Sequence, residues 1–307
     1  MRWSAICTTF VLLSGMGAAY AAAPLDGWVD LQGHRGARGL SPENTIPSFR
    51  ECLKHGMTTI ELDTTLTQDN QLIVHHDTWT NPTLCQSQTG QPIETRRIRE
   101  LTRAELSELD CGSKTNPRFE HQRLAPGVQL ITLPEFFAFV RDYEAAKPGP
   151  KPALFNIEIK VDDSFTEADL KTAANAMVTA IREAGVVARA TVQSFRLEVL
   201  PMVSALEPLL VTSALFEPSK WHGLLMTMGF DADREDILAE TQKLGAGVVS
   251  PYHLYVTPEF IEQAHAQKIK VIPWTVNDEE RMRELIEMGV DGLISDYPDR
   301  LLRASSL

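Results

Sequence analysis

The chain has 307 residues, 43% hydrophobic and 23% charged, an ordinary globular composition with enough apolar material for a core and no signature of disorder. A formal charge of −12 argues against nucleic-acid binding through phosphates, which needs a basic surface. An anionic substrate would have to be drawn in by local cations or a metal.

Arg2 is the only charge before Asp26, and an apolar stretch from Ile6 to Ala19 runs into Ala19-Tyr20-Ala21. A basic start, a short apolar run and a small-x-small site read as a secretory leader over residues 1–21, cleaved near Ala21–Ala23, with export to the periplasm or beyond. About 14 apolar residues interrupted by Ser14, Gly15 and Gly17 fall short of the roughly 20 that span a bilayer. No later run is apolar enough to cross a membrane. Cys7 lies too early for lipid attachment after the run.

Residues 29–307 read as one domain. Strand-like segments at Asp30–Gly36, Thr58–Leu66, Ala153–Lys160, Ala190–Phe195, Leu209–Phe216, Gly247–Pro251, Lys270–Val276 and Gly292–Ser295 alternate with helical patterns. The helices are expected over Asn44–His55, Leu133–Glu144, Ala168–Ala184, Leu197–Leu206, Arg234–Leu244, Pro258–Gln267 and Glu279–Met288, and a short apolar run, Leu72–Val74, follows the second strand. Repeated β-then-α order calls for a parallel sheet covered by helices. Eight units favour closure into a (β/α)8 TIM barrel over an open sheet. The nucleotide fingerprint of the open alternative is missing, since Gly33, Gly36 and Gly39 are spaced GxxGxxG rather than GxGxxG.

Residues 78–131 break the rhythm with turn residues, a charge run at Glu94–Glu100 and one amphipathic segment at Arg103–Leu109. A loop of that length is usually functional or its own subdomain, and it reads as an insertion after the second strand that overhangs the barrel mouth. Beyond the leader lie Cys52, Cys85 and Cys111. In an oxidising compartment a Cys85–Cys111 bridge is expected, with Cys52 a buried free thiol; three unpaired thiols is the alternative.

Strand two carries Glu61-Leu62-Asp63, and residues i and i+2 of a strand face the same way. On the next strand Asn156, Glu158 and Lys160 share a face. Adjacent strands lie about 4.8 Å apart, so Glu61, Asp63 and Glu158 could converge on one cation. All-oxygen ligation suits one divalent hard ion, Ca²⁺ or Mg²⁺, better than zinc. The bland alternative is ion pairing with neighbouring Arg or Lys. The turn Gly33-His34-Arg35-Gly36 brings a planar guanidinium beside close-approach glycines, and His34 together with His75-His76-Asp77 supplies imidazoles able to act as acid and base. Glu43-Asn44-Thr45 reads as helix capping, a functional role remaining open.

Together these segments resemble the glycerophosphodiester phosphodiesterase family, the extracytoplasmic bacterial type in particular. The resemblance rests on HRGxxxxxPENT at His34–Thr45, ExDxxxTxDxxxxxxHD at Glu61–Asp77, NIEIK at Asn156–Lys160, QSF at Gln193–Phe195, WTVN at Trp274–Asn277 and DGLISDYPD at Asp291–Asp299. It implies a PI-PLC-like phosphodiesterase barrel with Glu61, Asp63 and Glu158 as metal ligands and His34 and His76 as the catalytic pair. It places His76 ahead of His75, Arg35 and Lys160 near the phosphoryl oxygens, and Trp274 as a pocket wall, although core packing is commoner for Trp. The implied substrate is a small glycerophosphodiester, cleaved to sn-glycerol 3-phosphate and an alcohol. Two readings stand beside it: a lysophospholipase D-like enzyme on the same barrel, and a non-catalytic phosphodiester-binding protein.

Overall fold

The computed structural model describes residues 29–147, 151–218 and 234–306. The expected leader lies outside them. Among the described residues no helix is long and apolar enough to cross a membrane.

The elements run in chain order as β1 (Asp30–Gly33), α1 (Ile46–Lys54), β2 (Thr59–Leu66), β3 (Leu72–Val74), β4 (Gln86–Ser87), α2 (Arg103–Leu106), β5 (Leu109–Asp110), α3 (Leu133–Ala146), β6 (Leu154–Ile159) and α4 (Glu167–Glu183). They continue as β7 (Ala190–Ser194), α5 (Val199–Leu206), β8 (Val211–Phe216), α6 (Arg234–Lys243), β9 (Val248–Pro251), α7 (Pro258–Ala266), β10 (Lys270–Val271), α8 (Glu279–Met288), β11 (Gly292–Ser295) and α9 (Pro298–Ser305). Eight parallel strands lie in the order β10-β9-β8-β7-β6-β2-β1-β11. The ends meet through Asp291 N–H donating to the Val271 carbonyl at 3.0 Å and Ile294 N–H to the Pro273 carbonyl at 3.1 Å. The fold is a (β/α)8 TIM barrel.

Local chemistry sets the boundaries. Helices α2 and α3 begin at Thr102 and Thr132 with reciprocal capping boxes to Glu105 and Glu135, and α4 uses Thr166 with Asp169. Strand β1 stops at Gly33, short of the expected Gly36, because Arg35 (φ 49°) and Gly36 (φ 84°) turn the chain into the left-handed region. A Cβ on Gly36 would also lie 2.7 Å from Ser48 Oγ. Helix α1 starts two residues later than expected, since Asn44 (φ 56°) cannot be helical and Thr45 caps Ser48 N–H. Strand β10 ends at Val271 rather than Val276, where Pro273 offers no donor to the ladder, yet Ile272 and Trp274 still donate to Val249 and Pro251. Strand β3 pairs antiparallel to β2 and stands outside the barrel.

The main core lies between strands and helices, with an aromatic knot at its centre. Phe136 packs edge-on to Phe49 (4.8 Å) and Phe155 (5.7 Å), and Phe137 packs on Phe155 at 5.3 Å. The barrel interior is more polar. Asn156 Nδ2 donates to Gln32 and Gln193, Ser213 bonds Ser250, and a small apolar cluster of Val248, Ile272 and Ile294 fills the remainder.

Residues 78–131 carry the two-stranded sheet β4–β5, and their Cys85, Ile98, Leu101, Leu106, Cys111 and Leu130 form a separate apolar cluster with Ile73 of β3. Cys85 and Cys111 are bonded, and Cys52 is a buried free thiol. The segment is tied to the chain that follows β1 and to the chain that follows β6. Gln122 Nε2 donates to the carbonyls of Arg38 and Ser41, and Thr78 Oγ1 donates to Asp162 Oδ2 at 2.7 Å on the other side.

Phe136 is fully buried, so truncation leaves a cavity that its rigid neighbours cannot close. Phe136→Ala is expected to cost about 3–5 kcal/mol, read as a fall in the urea midpoint at unchanged slope. A loss below about 1 kcal/mol would show that the knot does not hold the helix layer to the sheet.

Candidate active site

The register of β2 on β6 sets Glu61 opposite Asn156 and Asp63 opposite Glu158. Strand periodicity turns Glu61, Asp63 and Glu158 inward near the C-terminal ends of their strands, while Ile60 and Leu62 are buried in the outer core. One oxygen from each carboxylate lies within 4.8 Å of the others, and all three side chains are buried. The set is all-oxygen and geometrically able to hold one hard cation.

The turn after β1 wraps over this cluster. Arg35 N–H donates to Glu61 Oε2 at 2.8 Å, and Gln193 Nε2 donates to Glu61 Oε1 at 2.9 Å. Asn44 clamps Asp63 twice, its Nδ2 donating to Asp63 Oδ2 (2.8 Å) and its Oδ1 accepting from the Asp63 backbone (3.2 Å). The Arg35 guanidinium donates to Glu43 Oε1 at 2.6 Å, and its Nε lies 3.1 Å from Asp63 Oδ2 without a well-aligned hydrogen bond. Lys160 pairs with Glu158 Oε1 at 3.0 Å and lies over the Phe195 ring.

His34 is held by its Nδ1, 2.6 Å from Asp296 Oδ1, which leaves Nε2 directed to the cluster, 4.0 Å from Glu61 Oε2. Asn277 completes this support, with Nδ2 donating to Asp296 Oδ2 (2.7 Å) and Oδ1 accepting the Asp296 N–H (3.0 Å). His76 has an equivalent brace, its Nδ1 lying 2.7 Å from Asp77 Oδ1, while Asn81 donates to the other oxygen at 2.8 Å. His75 is turned elsewhere, its Nε2 lying 3.3 Å from the Trp79 carbonyl. A cavity of about 460 Å³ opens beside His76 and Lys160. Trp274 donates to the Ser250 carbonyl, meets Phe195 (5.3 Å) and Tyr252 (5.8 Å) edge-on, and packs on the inner apolar cluster. Both expectations for it, pocket wall and packing, are compatible with that position.

Electrostatics are set by burial. Burial, together with Asp63, pushes the Glu61 carboxyl well above its ordinary range. Burial and Asp63 push Glu158 up to about 8, against the pull of Lys160. Asp63 is also desolvated, yet Arg35 and the nearby imidazoles hold it far below the usual carboxylate range. Burial lowers His34, with Arg35 adding to the effect and Asp296 opposing it. Burial likewise lowers His76 against Asp63 and Asp77. Asp296 resists desolvation because His34 and Arg38 hold it at about 2.

Sequence reasoning left Asp296, Asn277, Gln193 and Asp77 without assigned roles, and read Asn44 as helix capping with a functional role open. Their signals were partial. Gln193 sits on the inward face of β7, opposite Glu158 in register, and Asp296 and Asn277 fall inside quoted motifs. Two of them have partners far away in the chain, 132 residues for Gln193–Glu61 and 262 for Asp296–His34.

Comparison with known proteins agrees with this arrangement. The profile of the Glycerophosphoryl diester phosphodiesterase family matches residues 34–300. A glycerophosphodiester phosphodiesterase of Caldanaerobacter subterraneus subsp. tengcongensis is 30% identical over 274 residues, 88% of this chain and 94% of that one. Another, of Bacillus subtilis, is 30% identical over 87% of this chain and 83% of its own. A crystal structure of a candidate glycerophosphoryl diester phosphodiesterase from Silicibacter pomeroyi superposes with a TM-score of 0.81 at 29% identity, covering 90% of this chain and 92% of that one. The chain belongs to the glycerophosphoryl diester phosphodiesterase family.

A raised carboxyl makes a testable link between pH and stability. Glu158, and Glu61 with it, favours the folded state when protonated, so in chelated protein that contribution is lost as pH rises from the ordinary carboxylate range through about 8. A cation that replaces the protons should therefore raise the melting temperature more at pH 8 than at pH 5.5. Equal shifts at the two pH values, with Ca²⁺ or Mg²⁺ in excess, would remove the cluster as a cation site.

Proposed function

We propose that this family member is a metal-dependent glycerophosphodiester phosphodiesterase that works with two histidines and releases sn-glycerol 3-phosphate and an alcohol. The observation that carries the reading is the meeting of three buried carboxylates at one barrel mouth beside two imidazoles, each braced through Nδ1 by its own aspartate. A barrel of the same fold from Oleispira antarctica has been solved with the product sn-glycerol-3-phosphate, with a TM-score of 0.67 at 21% identity, over 90% of this chain and 96% of that one.

Glu61, Asp63 and Glu158 would hold one Ca²⁺ or Mg²⁺, which supplies Lewis acidity toward a phosphoryl oxygen. The raised carboxyls of Glu61 and Glu158 support this, because buried acids so close together need compensating positive charge to ionise together. Arg35 and Lys160 border the same cluster and offset charge gathering on the phosphoryl group. Asp296 and Asp77 fix the tautomer and direction of His34 and His76, so that each presents Nε2 to substrate. One imidazole takes the proton of the attacking hydroxyl: water yields sn-glycerol 3-phosphate directly, whereas the substrate's own glycerol hydroxyl yields a cyclic phosphate that water then opens. The other gives a proton to the oxygen of the departing alcohol as its bond to phosphorus breaks.

The leader at residues 1–21 supports an exported, periplasmic or secreted enzyme, and the Cys85–Cys111 bond supports an oxidising compartment.

The test is a coupled assay for released glycerol 3-phosphate, with chelator and with Ca²⁺ or Mg²⁺ restored. His34→Ala and His76→Ala are each expected to lower kcat by about 10²–10⁴ while cation binding and folding persist. Near-parental turnover would take that residue out of the mechanism. Asp296→Asn should keep the fold and lower kcat by a similar ~10²–10⁴, because the amide permits the wrong imidazole tautomer. Since Asp296 acts through His34, its loss should also displace the pH–rate limb that His34 governs. An unchanged profile would make Asp296 merely structural.

A further inference from the structure

We infer that the Cys85–Cys111 bond positions His76 for catalysis, by fixing the turn whose Asn81 holds Asp77 against the imidazole. The inference rests on the phosphodiesterase reading above and gives that site a covalent positioning device outside its catalytic residues.

The two histidines are braced unequally. The Asp296 side chain behind His34 is 4% exposed, and Asn277 meets it with both of its side-chain polar atoms. The Asp77 side chain behind His76 is 38% exposed, and among the described residues no Lys or Arg lies within ion-pair distance of it. One group holds its second oxygen, the Asn81 amide at 2.8 Å. A carboxylate with water as a rival partner keeps its direction only while that amide stays in place.

The amide is itself aimed by a turn. Asn81 Oδ1 accepts from the Thr83 N–H at 3.0 Å, and the Asn81 carbonyl accepts from Leu84 (3.1 Å) and Cys85 (2.8 Å). Such an Asx turn orients the asparagine side chain as long as residues 83–85 stay folded back on it. Cys85 ends the turn and is bonded to Cys111, and Lys114 donates to the Pro82 carbonyl. The stretch that receives the turn is well held. Cys111 N–H donates to the Val128 carbonyl, Ala125 N–H donates to the Gly112 carbonyl, and Asp110 Oδ1 accepts from Gly112 and Ser113. Strands β4 and β5 add only a short pairing of two residues each. The covalent anchor thus stands at the end of the turn that steadies the more exposed brace.

Breaking the bond leaves the segment packed. Both sulfurs lie in the apolar cluster with Ile73, Ile98, Leu101, Leu106 and Leu130, where thiols or alanine methyls still bury as apolar groups. Thr78 and Thr80 keep their own hydrogen bonds to Ile98, Glu94 and Arg96. What is lost is the fixed end of residues 81–85, and with it the aim of Asp77 and of His76.

The experiment is a cycle of four cation-loaded full chains: the parent, Asn81→Ala, the Cys85→Ala/Cys111→Ala pair, and all three changes together. Release of sn-glycerol 3-phosphate from glycerophosphocholine gives kcat and KM, and calorimetry gives cation affinity. Asn81→Ala and the cysteine pair are each expected to lower kcat about tenfold, with KM and cation affinity within about twofold of the parent. The combined variant should lie within about twofold of either, because both changes release the same brace. An unchanged kcat in the cysteine pair overturns the positioning role. A combined loss of about a hundredfold, the product of the two, overturns the path through Asn81. A fall in cation affinity that matches the fall in kcat makes the bond a general stabiliser instead. Should the cysteine pair misfold, the folded parent is reduced with a trialkylphosphine, which takes oxygen from water to become its oxide as the two thiols form. Activity must then fall as thiols appear at constant far-ultraviolet dichroism, and full activity of the reduced, folded chain overturns the inference. A parent that releases no glycerol 3-phosphate from any diester defeats the phosphodiesterase reading and this inference with it, a result distinct from an active parent indifferent to the bond.

Discussion

The rest of this structure is arranged around the repulsion among three buried carboxylates. Glu61, Asp63 and Glu158 could not all ionise in a barrel interior unless other charges and dipoles met them. The chain supplies these from several directions: the Arg35 amide and Gln193 amide at Glu61, Asn44 at Asp63, and the Lys160 ammonium at Glu158. Two of the residues involved, Arg35 and Asn44, sit at positive φ, a backbone state that side chains other than glycine adopt at a cost of order 1 kcal/mol. Strain and electrostatics are thus linked, since the turn that places an N–H over Glu61 is also the turn that ends β1. What these partners leave uncompensated is visible in the raised carboxyls of Glu61 and Glu158. A divalent ion is the chemical group that would complete the balance.

Barrel closure and histidine orientation are one event. His34 follows the first strand and Asp296 follows the last, and these strands are neighbours through four registered pairs from Asp30–Gly292 to Gly33–Ser295. The His34 N–H donates to the Ser295 carbonyl at 2.8 Å, so the ladder continues directly into the turn that carries His34. The pairing of His34 with Asp296 therefore requires that β1 and β11 be neighbours, whereas the three carboxylates themselves are carried by β2 and β6. His76 is independent of this seam. Its brace, Asp77, is the next residue in the chain, and the Asn81 amide stabilises that brace locally.

This division explains what could be read from the sequence. The period of two along Glu61-Leu62-Asp63 and Asn156-Ile157-Glu158 carries the inward face of each strand directly, so the cluster was legible once the two strands were taken as neighbours. Eight βα units made the barrel legible for the same reason. Contacts across closure were not. Nothing in the local pattern of Asp296 or Gln193 says that its partner is His34 or Glu61, because register between distant strands is decided by the whole sheet. Boundaries slipped where special backbone states intervened, at Arg35, Asn44 and Pro273. Helix α9, which packs Leu301 and Ala304 inward, was missing from the seven expected helices although the β-then-α order calls for one after the last strand. The turn chemistry of residues 78–131 marked an irregular segment but not its sheet β4–β5.

The two imidazoles stand against very different walls. On the His34 side, closure strands, Asp296 and Asn277 form a buried and hydrogen-bonded surface in which any added group must displace barrel structure. On the His76 side, the wall belongs to a segment with its own apolar cluster and its own disulfide, joined to the barrel by a few polar contacts such as Thr78 with Asp162. Side chains there can change without disturbing strand register or the carboxylate cluster, since the segment's stability comes from Ile98, Leu106 and the bonded cysteines rather than from the barrel interior. Packing and hydrogen bonding with the barrel are therefore concentrated around His34 and the carboxylates, and fewer such ties reach the segment beside His76. The segment follows the strand that carries two of the three carboxylates, and its first residues line a cavity with His76, so changes in it reach the neighbourhood of one imidazole without passing through the sheet.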